Sequence, residues 1–302
     1  MTSYKGRVGV LGATSIIGEY LLPLLVEEGF DVVAFSRDAR CAEKSLKDDP
    51  VIWQPLTKAV LPDSNNIPQK EEQITFWISL APIIVLPEYF PLLLAYGARH
   101  IVAVSSTSRF TKEESSDPAE KKLAEALAEN EERLIVWSKK ENLTFTILRP
   151  TLVYSRGRDR NISVIASFIR RFSFFCVLGD ARGLRQPVHA HDVASACAAA
   201  LSARAAINRC YNISGGDTIA YREMVCRIFS ALGKKPRFVK FPLWLFRLAV
   251  SILRIFPRFR QWSAAMAQRM NKDMVFDHAE ALRDLGFSPR KFNLNKEDFI
   301  QT

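Results

Sequence analysis

The residues best suited to chemistry come first in the chain. Gly9-Val10-Leu11-Gly12-Ala13-Thr14-Ser15-Ile16-Ile17-Gly18 follows a short apolar run, Arg7–Leu11, and opens a helical pattern. In that context Gly12 supplies a tight turn, and Gly18 lets the helix pack closely on the strand. The free N–H groups around Ser15 to Ile17 then face a pyrophosphate at the positive end of the helix. The plainer alternative is a strand–helix turn that binds nothing. The second apolar run, Val32–Phe35, ends in Ser36-Arg37 where an NAD site places an acid for the ribose 2′-hydroxyl. A hydroxyl beside a guanidinium suits a 2′-phosphate, so NADP is preferred to NAD. Further on, Arg156, Arg158 and Arg160 sit in one loop and Arg182 and Arg185 in another. Guanidinium groups there match the oxygens of a diphosphate-bearing small molecule, or are simply solvated.

The elements that must hold these residues follow from apolar runs and their breaks. Arg7–Leu11, Asp31–Phe35, Val51–Trp53, Ile74–Leu80, Ile101–Val104 and Thr144–Leu148 read as strands, several without in/out alternation. Ile16–Glu28, Glu88–Tyr96 and Pro118–Lys140 read as helices between them, the last opened by Ser116-Asp117-Pro118. This alternation predicts an α/β fold of the Rossmann type, a doubly wound parallel sheet covered on both faces. After Pro150 the pattern changes to helices at Ile162–Phe172, His191–Ala203, Tyr221–Leu232 and Asp277–Leu285, separated by Arg- and Gly-bearing loops. The expected division is a dinucleotide-binding domain over 1–150, joined by 186–214, and a smaller C-terminal substrate lobe over 151–302.

Charge is distributed unevenly. The chain has 302 residues, 42 Lys+Arg, 32 Asp+Glu and a net charge of +10. Ten of the basic residues lie between Lys234 and Lys272 with no acid among them, and the remainder balances at 32 of each sign. A uniformly nucleic-acid-binding protein is therefore disfavoured, and no nucleic-acid motif accompanies the patch. Within it, Leu243–Phe256 alternates large apolar residues with Arg247 and Arg254 and is bracketed by Pro242 and Pro257. It is too short to span a bilayer. A substrate-lobe helix with arginines aimed at a diphosphate and a peripheral membrane contact through 242–262 both fit it. The five cysteines are scattered without metal-ligand spacing and read as reduced thiols, consistent with a cytoplasmic protein at or near the inner membrane face.

Several segments carry a resemblance. Gly12-Ala-Thr-Ser-Ile-Ile-Gly18 resembles the GATGxxG turn of the short-chain dehydrogenase/reductase superfamily in its extended or atypical branch, with Ser15 replacing the middle glycine. Val102–Ser108, Thr146–Tyr154 and Gln186–Ala194 are similar, in order and spacing, to three segments of the NAD-dependent epimerase/dehydratase pattern. The resemblance implies a nicotinamide cofactor held by Gly9, Gly12, Thr14, Ser15, Ile16, Ile17, Ser36, Arg37, Leu80 and Ala81. It also implies a nucleotide- or polyprenyl-diphosphate-linked sugar as substrate, near Arg156, Arg185 and His189.

One part of the family pattern is missing. Its chemistry uses a Tyr-x-x-x-Lys pair on the helix after the serine strand, where i, i+4 spacing puts both groups on one face. Pro118–Lys140 contains no tyrosine, and no Tyr-x-x-x-Lys occurs anywhere in the chain. Family spacing from Arg149 puts the pair near Ala124 and Ala128. Three readings follow. Ser105, Ser106 or Thr107 polarises a substrate while Tyr154, His189 or His191 carries the proton; or the protein binds a dinucleotide without turnover, as a redox sensor or structural subunit; or it is a scaffold without cofactor.

Overall fold

The structure is a computed structural model that describes residues 5–38, 50–56, 73–155, 157–159, 161–241 and 269–299. In chain order its elements are β1 (Gly6–Leu11), α1 (Gly18–Glu27), β2 (Phe30–Ser36), β3 (Val51–Pro55), β4 (Phe76–Ser79), a 3-10 segment Ile83–Tyr89 and α2 (Phe90–Ala95). β5 (His100–Val104), the single turn α3 (Ser108–Thr111), α4 (Pro118–Lys140), β6 (Thr144–Pro150), β7 (Val153–Tyr154) and α5 (Ile162–Phe172) follow. The rest is β8 (Phe175–Leu178), β9 (Leu184–Arg185), β10 (Val188–His189), α6 (Ala190–Ser202), β11 (Arg209–Ile213), β12 (Ile219–Ala220), α7 (Tyr221–Ala231), β13 (Phe238–Phe241) and α8 (Ala279–Leu285).

Seven strands form one sheet in the order β11-β6-β5-β4-β1-β2-β3, and each neighbouring pair is parallel. The doubly wound expectation is met. All six strands expected before Pro150 are present, with ends shifted by one or two residues. The sheet reverses its winding between β1 and β4, the switch point where such folds open a ligand crevice.

Each face of the sheet has its own core. On one face α1 and α6 pack through Leu21, Leu25, Val193, Ala194 and Cys197 onto Val8, Val10, Val32 and Val102. Alanine fills much of α6 and so permits a close approach to α1. α4 lies on the other face, its Leu127 and Leu134 packed with Ile101, Ile147 and Trp77. α4 starts as its sequence predicts, with the Asp117 carboxylate accepting from the Ala119 N–H at 3.0 Å and Pro118 in the first turn.

Beyond the sheet, α5 and α7 share a third cluster with Tyr154, Phe292 and Phe299. The short pairs β8–β13 and β9–β12 lie in this region and were not legible as strands. Among the described residues Cys176, Cys197, Cys210 and Cys226 are free thiols, as expected, and Cys41 lies outside them. No helix among the described residues is long and apolar enough to cross a membrane. The basic stretch 242–262 lies outside the described residues.

Candidate dinucleotide site

The glycine turn sits at the switch point. Leu80 N–H donates to Leu11 C=O at 2.8 Å, so the segment after β4 crosses directly against the end of β1. Gly12 adopts a φ of +73°, and a Cβ there would lie 2.6 Å from the Ala81 nitrogen and 2.9 Å from the Leu80 carbonyl carbon. Only glycine satisfies both conditions. Gly18 is fixed by contact alone: its Cβ would fall 1.9 Å from the Ala13 carbonyl oxygen. Gly12, Leu80 and Ala81 are thereby brought together.

Ser15 takes over part of what the family's middle glycine leaves to backbone. Its N–H closes the turn onto Gly12 C=O at 3.0 Å, and its Oγ accepts from Gly18 N–H at 3.2 Å. The N–H groups of Thr14, Ile16 and Ile17 have no hydrogen-bond partner among the described residues. They lie where α1 begins, so the residues present fit a pyrophosphate. Gly9 is different. It is inside β1 with an ordinary backbone, and a Cβ would meet the Trp77 ring at 2.7 Å, so its small size serves packing.

At the end of β2, Ser36 is buried and its Oγ accepts from Asp38 N–H at 3.1 Å. Arg37 is exposed. The strand therefore ends in an exposed guanidinium, with the acid Asp38 one residue further on and also exposed.

Past the cofactor turn, the serine strand meets an unexpected partner. Ser105 Oγ donates to Glu131 Oε1 at 2.6 Å, and Glu131 is fully buried. Arg149 from the end of β6 grips the same carboxylate through Nε at 3.0 and 3.1 Å and Nη2 at 2.6 Å. Arg109 of α3 also bonds to it. Burial works against the Arg149 charge, but its hydrogen bonds to Glu131 overcome that and hold its pKa above the ordinary arginine value. A buried carboxylate between two guanidinium groups thus joins α4 to β5, α3 and β6. Thr107 Oγ1 donates to Pro150 C=O at 3.2 Å, and Ser106 Oγ accepts from Ser108 N–H at 3.1 Å. All three hydroxyls of the serine strand are engaged within the fold.

The helix that should bear the dyad has another pattern. Its buried residues are Ala124, Leu127, Asn130, Glu131, Leu134 and Ser138. The sequence reading missed Glu131. The available signal was its helical spacing from Leu127 and Leu134, which puts this acid on their side of the helix, where a buried carboxylate must be paired.

Two of the three proposed proton carriers are also constrained, while the His191 side chain is partly exposed. Tyr154 is buried, and burial, followed by the charge of Asp192, raises its phenol above the usual range. It stays protonated at neutral pH. The His189 ring lies between Tyr20 and Tyr154, with edge contacts at 5.3 and 5.1 Å. Its Nδ1 accepts from His191 N–H at 3.1 Å and caps α6. Burial, then Arg290, lowers its pKa to about 4. Between pH 6.5 and 4 the unfolded chain takes up this proton while the folded one does not, so stability falls as pH falls through that window. The expected contribution is on the order of 3 kcal/mol. His189→Asn keeps an acceptor for the cap and removes the titration; denaturant melts at both ends of the window should show a shallower pH dependence for it.

The arginines have separate fates. Arg185 is buried; it donates to the carbonyls of Leu184 at 2.7 Å, Lys272 at 2.8 Å and Arg269, and lies over the Tyr221 ring at 5.4 Å. Burial pulls its pKa down to about 10. In this arrangement it anchors the returning chain instead of pointing into open space. Arg158 is exposed and pairs with Glu19, and exposed Arg182 lies 3.7 Å from Asp180. Arg156 and Arg160 lie outside the described residues. Asp192, in the first turn of α6, binds Arg290 through both its backbone N–H and its Nε at 2.9 and 2.7 Å. No metal-binding cluster occurs among the described residues.

With this geometry in view, known proteins can be compared. Residues 92–214 match the model of the NAD dependent epimerase/dehydratase family. Over that segment the chain is similar to the epimerase/dehydratase family. A mitochondrial NADH dehydrogenase [ubiquinone] 1 alpha subcomplex subunit 9 of Arabidopsis thaliana is 24% identical over 99% of this chain and 78% of its own length. An uncharacterized protein, y4nG, of Sinorhizobium fredii is 24% identical over 94% of this chain and 75% of its own. Among solved structures, UDP-glucuronic acid 4-epimerase from Bacillus cereus in complex with NAD superposes with a TM-score of 0.68 at 16% identity, covering 97% of this chain and 94% of that one. The same epimerase has been solved with UDP-glucuronic acid and NAD together. The epimerase-like fold therefore extends well past the residues that match the family model.

Proposed function

We propose that the protein binds a nicotinamide dinucleotide and does not carry out the family's tyrosine-mediated proton transfer, acting instead as a dinucleotide-dependent sensor or structural subunit. One observation carries this reading. The face of α4 that would hold the dyad presents alanine, leucine and a glutamate locked to Ser105, Arg109 and Arg149. Such a network builds rigidity and holds its glutamate in ion pairs and a hydrogen bond instead of leaving it free to exchange protons. When bound, the dinucleotide would supply a hydride donor or acceptor. Gly12 and the N–H groups of Thr14, Ile16 and Ile17 would hold its pyrophosphate, with Leu80 and Ala81 lining the turn. The 24% identical relative is named as a subunit of an NADH dehydrogenase, which favours a subunit role for this chain.

NADP is the preferred form, because Ser36-Arg37 ends β2 without a ribose-binding acid. Fluorescence titration should give tighter binding for NADPH than for NADH. Arg37→Ser should weaken NADPH by about tenfold, the loss of one charge-assisted contact of about 1.5 kcal/mol, and leave NADH nearly unchanged. Equal affinity for both forms in the unaltered protein would remove the NADP assignment.

A second reading has a specific observation behind it. The similarity to a structure containing UDP-glucuronic acid spans 94% of this chain, including the region after β6 that would meet a sugar nucleotide. Binding of a nucleotide-linked or polyprenyl-diphosphate-linked sugar without turnover is compatible with the first reading. Turnover would replace it.

A further inference from the structure

A surface made by residues outside the glycine turn combines features that the dinucleotide site does not use. The outer side of α5 carries Val164, Phe168 and Phe172 at i, i+4 and i+8, and Val164 and Phe172 are 47% and 48% exposed. The Phe168 ring meets Phe172 at 4.7 Å and Phe174 at 5.7 Å, so the ridge continues past the end of the helix. A contiguous exposed apolar ridge of this kind marks a contact surface.

Its rim is cationic. Arg171 is exposed and lies over the Phe172 ring at 5.6 Å. The Lys234 ammonium donates to Arg170 C=O and Ser173 Oγ, both at 2.9 Å, and so fixes the chain after α7 against the end of α5. Phe175 N–H donates to Arg237 C=O at 2.8 Å, which brings exposed Lys235 and Arg237 beside the aromatic ridge. No acid occurs between Asn161 and Gly179, or between Met224 and Lys272. The nearby Asp180 is already paired with Lys240 at 2.7 Å.

We infer that this face, Val164, Phe168, Arg171, Phe172, Lys235 and Arg237, docks the protein on an anionic lipid surface. Phenylalanines at the tip of a helix enter the acyl boundary, while long cationic side chains beside them reach the phosphates. Charge complementarity selects an anionic bilayer over a neutral one. In sequence, the stretch that follows β13, 242–262, interleaves Trp and Phe with arginine. The inference does not depend on the cofactor reading, because the residues are separate from the glycine turn.

Flotation of the full chain with phosphatidylcholine vesicles, with and without phosphatidylserine, tests it. The protein should float only with the anionic vesicles and be released by high salt. Exchanging Arg171, Lys235 and Arg237 for Glu should lower the bound fraction about tenfold or more, and Phe172→Ser alone should lower it measurably. Both variants should keep wild-type NADPH affinity and circular dichroism. If the triple variant is unfolded, Arg171→Glu and Phe172→Ser taken singly carry the test. Failure of the wild type to float, equal flotation on neutral vesicles, or undiminished flotation of the folded variants would overturn the assignment; the first would leave the face to an acidic protein partner.

Discussion

Replacing Glu131 with alanine is expected to destabilise the protein by about 3–5 kcal/mol, a fall of roughly 10 °C in Tm. The reason is what remains behind. Arg149, whose side chain is 14% exposed, loses the carboxylate that binds it at three distances between 2.6 and 3.1 Å. Arg109 loses the same partner and Ser105 its acceptor. Two guanidinium groups would then stand close together without a compensating charge, and α4 would lose its polar link to β5 and β6. Ser105→Ala should cost only about 1 kcal/mol, because it removes one donor and leaves both arginines paired. Thermal melts of both variants distinguish this from a catalytic serine supported by an incidental glutamate. A loss below about 1 kcal/mol for Glu131→Ala would show that the network is not structural.

The second large effect is expected at Gly12. Gly12→Ala must place a side chain at a φ of +73° and drive a Cβ to within 2.6 Å of the Ala81 backbone. The backbone conformation alone costs about 1–2 kcal/mol, and the contact is with main chain that cannot move aside as a side-chain tip would. The turn must open, displacing the N–H groups of Thr14, Ile16 and Ile17 that follow it. Dinucleotide affinity should fall by at least about a hundredfold, equivalent to some 2.7 kcal/mol. By contrast Gly9→Ala should act through Trp77, lowering Tm with little change in affinity once folded. Titrations of the two variants side by side measure that difference. Equal loss of affinity in both would contradict the assignment of separate roles.

The sequence was most informative where local physics acts alone. Val8, Val10, Val32 and Val102 made recognisable buried strands, and Asp117-Pro118 marked the start of α4 to the residue. Gly12 and Gly18 could be read because their requirement is backbone geometry, which a motif encodes. The absent tyrosine could also be read, since absence needs no coordinates. What replaces it could not. Glu131 is one of several acids on α4, and only tertiary packing reveals that Arg149, eighteen positions on, and Arg109, twenty-two back, turn toward it.

The same limit applied to the proposed anchors. Arg185 looks like a phosphate ligand in a list of loop arginines, but three backbone carbonyls from Leu184, Arg269 and Lys272 surround it once the chain returns. His189 looks like a proton carrier until its Nδ1 is seen to cap α6. The partners of Arg185 that lie far along the chain, Arg269 and Lys272, leave no trace in local spacing. The short pairs β8–β13 and β9–β12 escaped notice for a related reason, because two to four residues are too few to display a period.

Dinucleotide binding without the family's chemistry is tested by incubating the protein, saturated with NADPH or with NADP, with a panel of nucleotide-linked and polyprenyl-diphosphate-linked sugars. The nicotinamide absorbance and the sugar products are followed in the same sample. Saturable dinucleotide binding, with unchanged absorbance and unchanged sugars over many protein equivalents, is the predicted result. Catalytic accumulation of an epimerised, dehydrated or reduced sugar, lost in Gly12→Ala, would contradict it.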